Sequence, residues 1–359
     1  GRRAMSTLFA YVGTYSRDGG SGIVVLEFCS ERGRFIREVQ RLPVEDASYL
    51  ARHPRAHTLF CVNEVRSLAG AATGGLSEFA IESGSGQLRF RQQVCSGGAT
   101  PAHLAIDADG GWLGVANYRG ATFTCGRLDA SGHVESLSVR AQLNGRGVHA
   151  ERQTQPHPHQ VVFHRNRAWI PDLGTDRIAS VNFAAETHDA PIFSSLPAGF
   201  GPRHLTFAAS GNVCFVVGEL SSKLAVLESL SLEAPLVLRT QHSTRAPGAT
   251  GPNQPAALRL HPSGQWLFCS NRGDDTVAVF GVAPHGDAVE LHHVSPCGGW
   301  WPRDLAVTPD GRWLIVVNQR SGALTVFPFA SEAGHIGPAS DRHDITAPAC
   351  VLISPPPVR

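Results

Sequence analysis

Three stretches of this chain share one template, and a repeat constrains the fold more than any other feature of a sequence. "PAHLAIDADGGWLGVANY" (101–118), "PAALRLHPSGQWLFCSNR" (255–272) and "PRDLAVTPDGRWLIVVNQ" (302–319) each open on proline and run through a short alternating strand. Each then turns at D-G or S-G and returns as a second apolar strand ending in Asn plus one variable residue. Looser copies are "ASYLARHPRAHTLFCVNE" (47–64), "PHQVVFHRNRAWIPDL" (158–173) and "PRHLTFAASGNVCFVVGE" (202–219). A third strand follows every copy, as in "LSEFAI" or "VAVFGV", and segments such as "APHGDAVELHHV" supply a turn and a fourth. Units of four antiparallel strands at a period of about fifty residues are the signature of a β-propeller.

Six units are complete, and the termini supply a seventh. "LFAYVGTYS" (8–16) reads as a second strand and "GIVVLEF" (22–28) as a third, while "APACVLIS" (347–354) is an unaccompanied first strand. Joining the two ends closes the ring and removes the exposed sheet edges. The expected fold is therefore all-β: a seven-bladed propeller, four antiparallel strands per blade, in one domain over residues 1–359. Residues 1–7 are expected to be a tag and disordered start, with Met5 as the natural first residue, and 355–359 a tail.

Composition agrees. With 38 Gly, 24 Pro and a single Met, the chain favours turns over long helices, and no stretch has a convincing apolar period of 3.6. A net charge of +1 argues against nucleic-acid binding through bulk electrostatics. Apolar runs are too short to span a membrane. "GRRAM" lacks the apolar stretch of a signal peptide. The eight cysteines form no C-x-x-C pair and several sit in apolar strands, so buried free thiols in a cytoplasmic protein are expected, not disulfides or a zinc–thiolate site.

The first strand of each propeller blade lines the central channel, so equivalent positions can be compared around the ring. Just before the apolar residue of strand one the chain reads Ser48-Tyr49, Ala102-His103, His159-Gln160, Arg203-His204, Ala256-Ala257, Arg303-Asp304 and Ala349-Cys350. At the end of strand two it reads Thr14, Glu64, Tyr118, Leu173, Glu219, Arg272 and Gln319. A purely structural ring would repeat small or apolar residues. Here His, Arg and Glu break the template, and sites are where local rules fail.

"QTQPHPHQVVF" (153–163) puts His157 and His159 on one side of an extended strand. His157 stays open between a hydrogen-bonded loop residue and a ligand contact. His159, beside Arg203 and within reach of Glu219, suits acid–base chemistry. Neighbouring arginines would repel a cation, so no metal site is expected. Arg203, Arg272 and Arg303 outnumber the obvious acidic partners, which implies an anionic ligand. The recurring Asn63, Asn117, Asn271 and Asn318 suit a structural turn role.

"YVGTYS", "ERQTQPHPHQVVF", "PDLGTDRI", "GPRHLTF", "GELSSKLAV", "SNRGDDTVAVF" and "WPRDLAVTPDGRWLIVVNQ" together resemble the seven-bladed propeller lactonase family across residues 8–354. That family holds bacterial propeller-type 6-phosphogluconolactonases and fungal carboxy-cis,cis-muconate lactonising enzymes. The resemblance places its catalytic His, Arg, Glu and Arg on His159, Arg203, Glu219 and Arg272. His103, His157, Arg152 and Arg303 are expected as substrate-binding residues around them. The chain departs from the pattern at Ala257, where a Glu is usual, at Gly218, where an Asn is usual, and in "NGRGVHAERQ".

The implied function is hydrolysis of an anionic sugar lactone, first of all 6-phosphoglucono-1,5-lactone to 6-phosphogluconate, in carbohydrate metabolism and the pentose phosphate pathway. His159 would act as base or acid, with Glu219 orienting it or sharing its proton. Arg203 and Arg272 would stabilise the oxyanion and bind substrate charge. A carboxymuconate cycloisomerase or a lactonase for another acidic lactone are the alternatives. A non-catalytic binding platform is disfavoured because no WD-type dipeptide is evident. No metal or organic cofactor is expected, no nucleic-acid or membrane partner, and a cytoplasmic monomer or weak homo-oligomer.

Overall fold

Middle strands of this chain are buried on both faces, and outer ones are not. Thr58–Asn63 and Gly75–Ile81 are buried throughout, whereas Arg34–Leu42 and Leu88–Cys95 are largely solvated. That pattern requires sheets stacked face to face around an axis, with only their last strands meeting water.

The computed structural model describes residues 7–184 and 189–355. They form seven sheets in a ring, each an antiparallel meander. Blades 1 to 6 follow chain order over residues 47–95, 101–142, 162–195, 202–243, 254–296 and 302–344. Blade 7 runs Pro348–Ser354, Thr7–Thr14, Ile23–Cys29, Arg34–Leu42, so the C-terminal strand is innermost and pairs with the N-terminal one. Val12 faces Val351 and Gly13 faces Cys350 across this closure. Gly13 is required there, because a Cβ would lie 2.0 Å from the Ala47 carbonyl oxygen of blade 1. The one helical turn among the described residues is the 3-10 segment Ser16–Asp18. No described helix is long and apolar enough to cross a membrane.

Two expectations need adjustment. Thr7 already pairs with Cys29, so regular structure begins inside the segment expected to be a disordered start. Residues 1–6 and 356–359 lie outside the described residues, and the Pro355 carbonyl accepts a hydrogen bond from Arg52 at 2.9 Å. All eight cysteines are unpaired, but Cys95 is exposed where a buried thiol was expected.

The core is a series of slabs between neighbouring blades. Val12, Leu26 and Val351 pack on Ile315, Val317 and Val326, and Phe215 and Val217 pack on Leu267 and Phe280. The recurring asparagines tie one blade to the next. Asn63 Nδ2 donates to Glu45 O at 2.7 Å, Asn117 to Ser96 O at 3.1 Å, Asn271 to Thr244 O at 2.7 Å and Asn318 to Cys297 O at 2.9 Å. Each acceptor lies just past the last strand of the preceding blade, and each asparagine is fully buried. Blades 3 and 4 carry Asp172 and Gly218 instead, and there the pattern gives way to the site.

Candidate active site

Blade 3 begins irregularly, because its inner strand Val162–His164 is short and the segment before it is held by side chains. Gln153 Nε2 donates to Leu173 O at 2.9 Å and to Asp176 Oδ1 at 2.7 Å, while its Oε1 accepts from His149 N at 3.0 Å. Asp172 Oδ1 accepts from His157 N at 2.7 Å and Gly174 N at 3.0 Å, and its Oδ2 from Thr175 Oγ1 at 2.6 Å. Asp176 also accepts from Gly199 N at 2.7 Å and Gly201 N at 2.8 Å, fixing the turn that leads to Arg203. The "RQTQPHPH" and "DLGTDR" motifs thus fold onto each other and carry Arg152, His157 and His159 to the channel. Gln153, Asp172 and Asp176 escaped the sequence reading. Their signal was three uncharged or acidic polar residues inside motifs already marked as specific.

Glu219 is the hub. Its Oε2 lies 3.0 Å from Arg203 Nε and 2.9 Å from Arg272 Nη2, and its Oε1 is paired with Arg152 Nη2. The Glu219, Arg203 and Arg272 side chains are 3%, 2% and 6% exposed, so water can replace none of these partners. Burial alone would raise the carboxyl pKa, but Arg272, Arg203 and Arg152 outweigh it and hold Glu219 well below the usual carboxylate range. Arg203 shows the opposite stress. Burial and the like charge of Arg272 push it down to about 9, with Glu219 opposing. Arg203 Nε and Arg272 Nη2 sit at ion-pair distance without an aligned hydrogen bond, which leaves donor capacity for a ligand.

His159 is buried, with its backbone N–H on Pro171 O at 3.0 Å and no partner on Nδ1 among the described residues. Its ring meets Tyr118 at 5.5 Å and His204 at 5.6 Å, and His204 meets His103 at 5.7 Å. His103 leans on Tyr49 at 4.0 Å, and its Nδ1 accepts from Val161 N at 3.3 Å. Burial, then nearby arginines, hold all three imidazoles well below their usual range, so they are neutral. No hydrogen bond joins His159 to Glu219 among the described residues. The expectation that Glu219 orients His159 directly or shares its proton is therefore corrected: the carboxylate is committed to guanidinia. His157 stacks on Tyr118 at 4.2 Å with Nδ1 3.0 Å from Tyr118 O, which makes it a member of the loop scaffold.

Deeper in the channel Arg259 Nη2 donates to Asp304 Oδ1 at 2.7 Å and Tyr49 OH at 2.9 Å. Arg259 was missed because only two positions per blade were compared, and it lies two residues further along the strand that carries Ala257. Ala257 itself is fully buried with its N–H on Ser270 Oγ at 3.0 Å, so this departure opens no space to solvent. Between the layers the throat narrows to about 10 Å³, walled by Ser48, His159, Arg203, His204, Arg303 and Asp304 among others. A wider cavity of about 480 Å³ opens at the strand-two ends between Glu64, Thr100 and Tyr118. A cavity of about 900 Å³ on the flank of blade 5, around Trp266 and Glu290, contains none of these groups. Among the described residues no group of three or more His, Cys, Asp or Glu is disposed to hold a metal ion.

Residues 9–353 match the family described as "Lactonase, 7-bladed beta-propeller". The chain belongs to the seven-bladed β-propeller lactonase family. It is 26% identical over 350 residues to a 6-phosphogluconolactonase of Bacillus subtilis, covering 97% of this chain and 98% of the relative. A 6-phosphogluconolactonase of Formosa agariphila is 27% identical over 347 residues, covering 91% and 94%. Among solved structures, the periplasmic gluconolactonase of Pseudomonas aeruginosa superposes with a TM-score of 0.89 at 29% identity, covering 98% of this chain and all of that one. In this lactonase-family chain His159, Arg203, Glu219 and Arg272 meet at one end of the channel with Arg152 and Arg303. His103 lies behind them against Tyr49, and His157 lies beside them against Tyr118.

Proposed function

We propose that this chain hydrolyses an anionic sugar lactone at the channel mouth, with 6-phosphoglucono-1,5-lactone as substrate and 6-phosphogluconate as product. Membership of the lactonase family supplies the reaction class. The observation that carries the substrate charge is the imbalance at the site: Arg152, Arg203 and Arg272 share the single carboxylate of Glu219, and Arg303 stands on the same throat wall without an ion pair. Positive charge buried without its counterion is costly, and an anionic ligand supplies that counterion.

Each residue then has a chemical task. Neutral His159 takes a proton from water as its oxygen attacks the lactone carbonyl. Arg203 and Arg272, held in place by Glu219, receive the negative charge that develops on the carbonyl oxygen. Collapse of the tetrahedral intermediate breaks the bond to the ring oxygen, which leaves with the proton that His159 gives back. Burial first, and then the surrounding guanidinia, depress the basicity of His159, and a bound phosphate offsets the share due to the guanidinia. This sequence needs no metal or organic cofactor, since the lactone carbonyl is already electrophilic. We assign the chemistry to a cytoplasmic monomer or weak homo-oligomer in carbohydrate metabolism. The eight unpaired cysteines support a reducing compartment.

The deciding experiment compares initial rates on freshly made 6-phosphogluconolactone and on glucono-1,5-lactone, each corrected for spontaneous opening. A kcat/KM at least about tenfold higher for the phosphorylated lactone is expected from one charge-assisted contact. Equal efficiency would move the assignment to a neutral gluconolactone. Consumption of a carboxymuconate with neither lactone opened would move it to cycloisomerisation.

A further inference from the structure

Arg303 stands apart from the other channel arginines. Arg152, Arg203 and Arg272 end on Glu219, and Arg259 ends on Asp304. Arg303 makes no hydrogen bond and no ion pair with any described residue; burial works against its charge, while Tyr15, Glu64, Glu219 and Asp304 favour it from beyond ion-pair contact. The carboxylate of Asp304, next in the chain, is taken by Arg259 and by the Val351 N–H at 3.1 Å. The guanidinium of Arg303 instead lies over Tyr15, 5.1 Å from the ring centre.

Tyr15 is a fixed seat. It is 1% exposed, its hydroxyl donates to Glu64 Oε2 at 2.7 Å, and Arg17 packs on the same ring at 4.2 Å. Arg17 also pairs with Glu64 at 3.6 Å and Asp46 at 3.5 Å, which locks the seat from the solvent side. A guanidinium held over an aromatic ring, without an ion-pair partner, keeps N–H groups available, and these match the oxygens of phosphate or carboxylate. Arg303 shares the throat wall with His159 and Arg203, so an anion on it would stand beside the reacting carbonyl.

We propose that Arg303, seated on Tyr15 and Glu64, receives the anionic group of the lactone and sets the preference for charged over neutral sugar lactones. This rests on the lactone reading above. Phosphate and carboxylate offer the same contact, and the substrates below separate them.

Arg303→Met keeps the aliphatic stem and removes the charge. It is assayed on 6-phosphogluconolactone, on the neutral glucono-1,5-lactone, and on the lactone of a sugar diacid. KM for the charged lactone that uses Arg303 rises about 10–100-fold, as expected from losing one or two charge-assisted bonds, with kcat within about threefold. KM for the neutral lactone stays within about twofold. Arg303→Lys recovers part of the loss, and Tyr15→Phe, which cuts the Glu64 anchor, raises KM for the charged lactone by a smaller factor. The ratio of charged to neutral kcat/KM within one preparation cancels any loss of folded protein. A rise confined to the phosphorylated lactone assigns phosphate, and one confined to the diacid lactone assigns carboxylate. Equal changes on all three, or none, overturn the proposal. Calorimetric titration with 6-phosphogluconate and with a sugar diacid reads anion binding without turnover. If the parent opens no lactone, the functional reading fails while this titration still tests Arg303, and unchanged affinity for both anions in Arg303→Met overturns it.

Discussion

Glu219→Gln keeps the shape of the side chain and deletes the one charge that three guanidinia share. Arg152 is 31% exposed and can turn to water. Arg203 and Arg272 cannot, being 2% and 6% exposed. Removing one partner of a buried ion pair costs about 3–5 kcal/mol, because the other charge stays desolvated. For 359 residues the unfolding entropy is about 0.75 kcal/mol/K at about 2.1 cal/mol/K per residue. The melting temperature should therefore fall by about 4–7 °C. Scanning calorimetry in a low-ionic-strength chloride buffer measures it. Added phosphate should narrow the gap by restoring negative charge. Adding Arg272→Gln should recover part of the loss, since neighbours sharing a network are not additive. A melting point within about 1 °C of the parent would show that Glu219 is not the charge on which the arginines depend.

His159→Ala should lower kcat by about 10²–10⁴-fold with the melting temperature retained, while His157→Ala, whose ring is committed to Tyr118, should be milder. Steady-state rates decide it, and a larger loss at His157 would reverse the assignment. Deleting residues 348–359 bares the edge of Thr7–Thr14 and should cause aggregation or a collapse of the thermal transition; a truncated protein that melts like the parent refutes ring closure. His103, His159 and His204 have folded pKa values below the ordinary 6.5, so the unfolded chain binds more protons in that range. Their contribution is complete above pH 6.5 and is lost as the pH falls below it, by about 1.4 kcal/mol per pH unit per histidine. Glu219, also lowered, adds to the loss below about pH 4.5. Denaturant midpoints that stay flat from pH 7 to about 5 would contradict three buried neutral imidazoles.

The ring of blades was legible because each unit repeats its strand and turn pattern locally. "DG" and "SG" turns, Pro-led first strands and terminal asparagines are short-range signals, and six copies of one signal reinforce each other. Channel positions followed from the same register, which is why His159, Arg203, Glu219, Arg272 and Arg303 could be marked before any geometry was known. Pairings were not legible. Nothing in one dimension distinguishes a Glu219 that holds three arginines from one that shares a proton with His159, because the partners come from blades 3, 4 and 5. Arg259 and Tyr15 were invisible for a related reason: each gains its meaning only from a neighbour on another blade.

The sequence alone determined a closed all-β ring and the residue types facing its channel, because both depend on periodicity, and periodicity is a property of the local chain. Tertiary structure alone decided which charges are compensated and which are left over. Ion pairing falls off within a few ångströms, so it is settled only when residues 53 and 67 positions apart, Glu219 with Arg272 and Arg152 with Glu219, are brought to one point. That closure leaves Arg303 on its aromatic seat with no ion pair among the described residues, and its N–H groups are what a ligand can use.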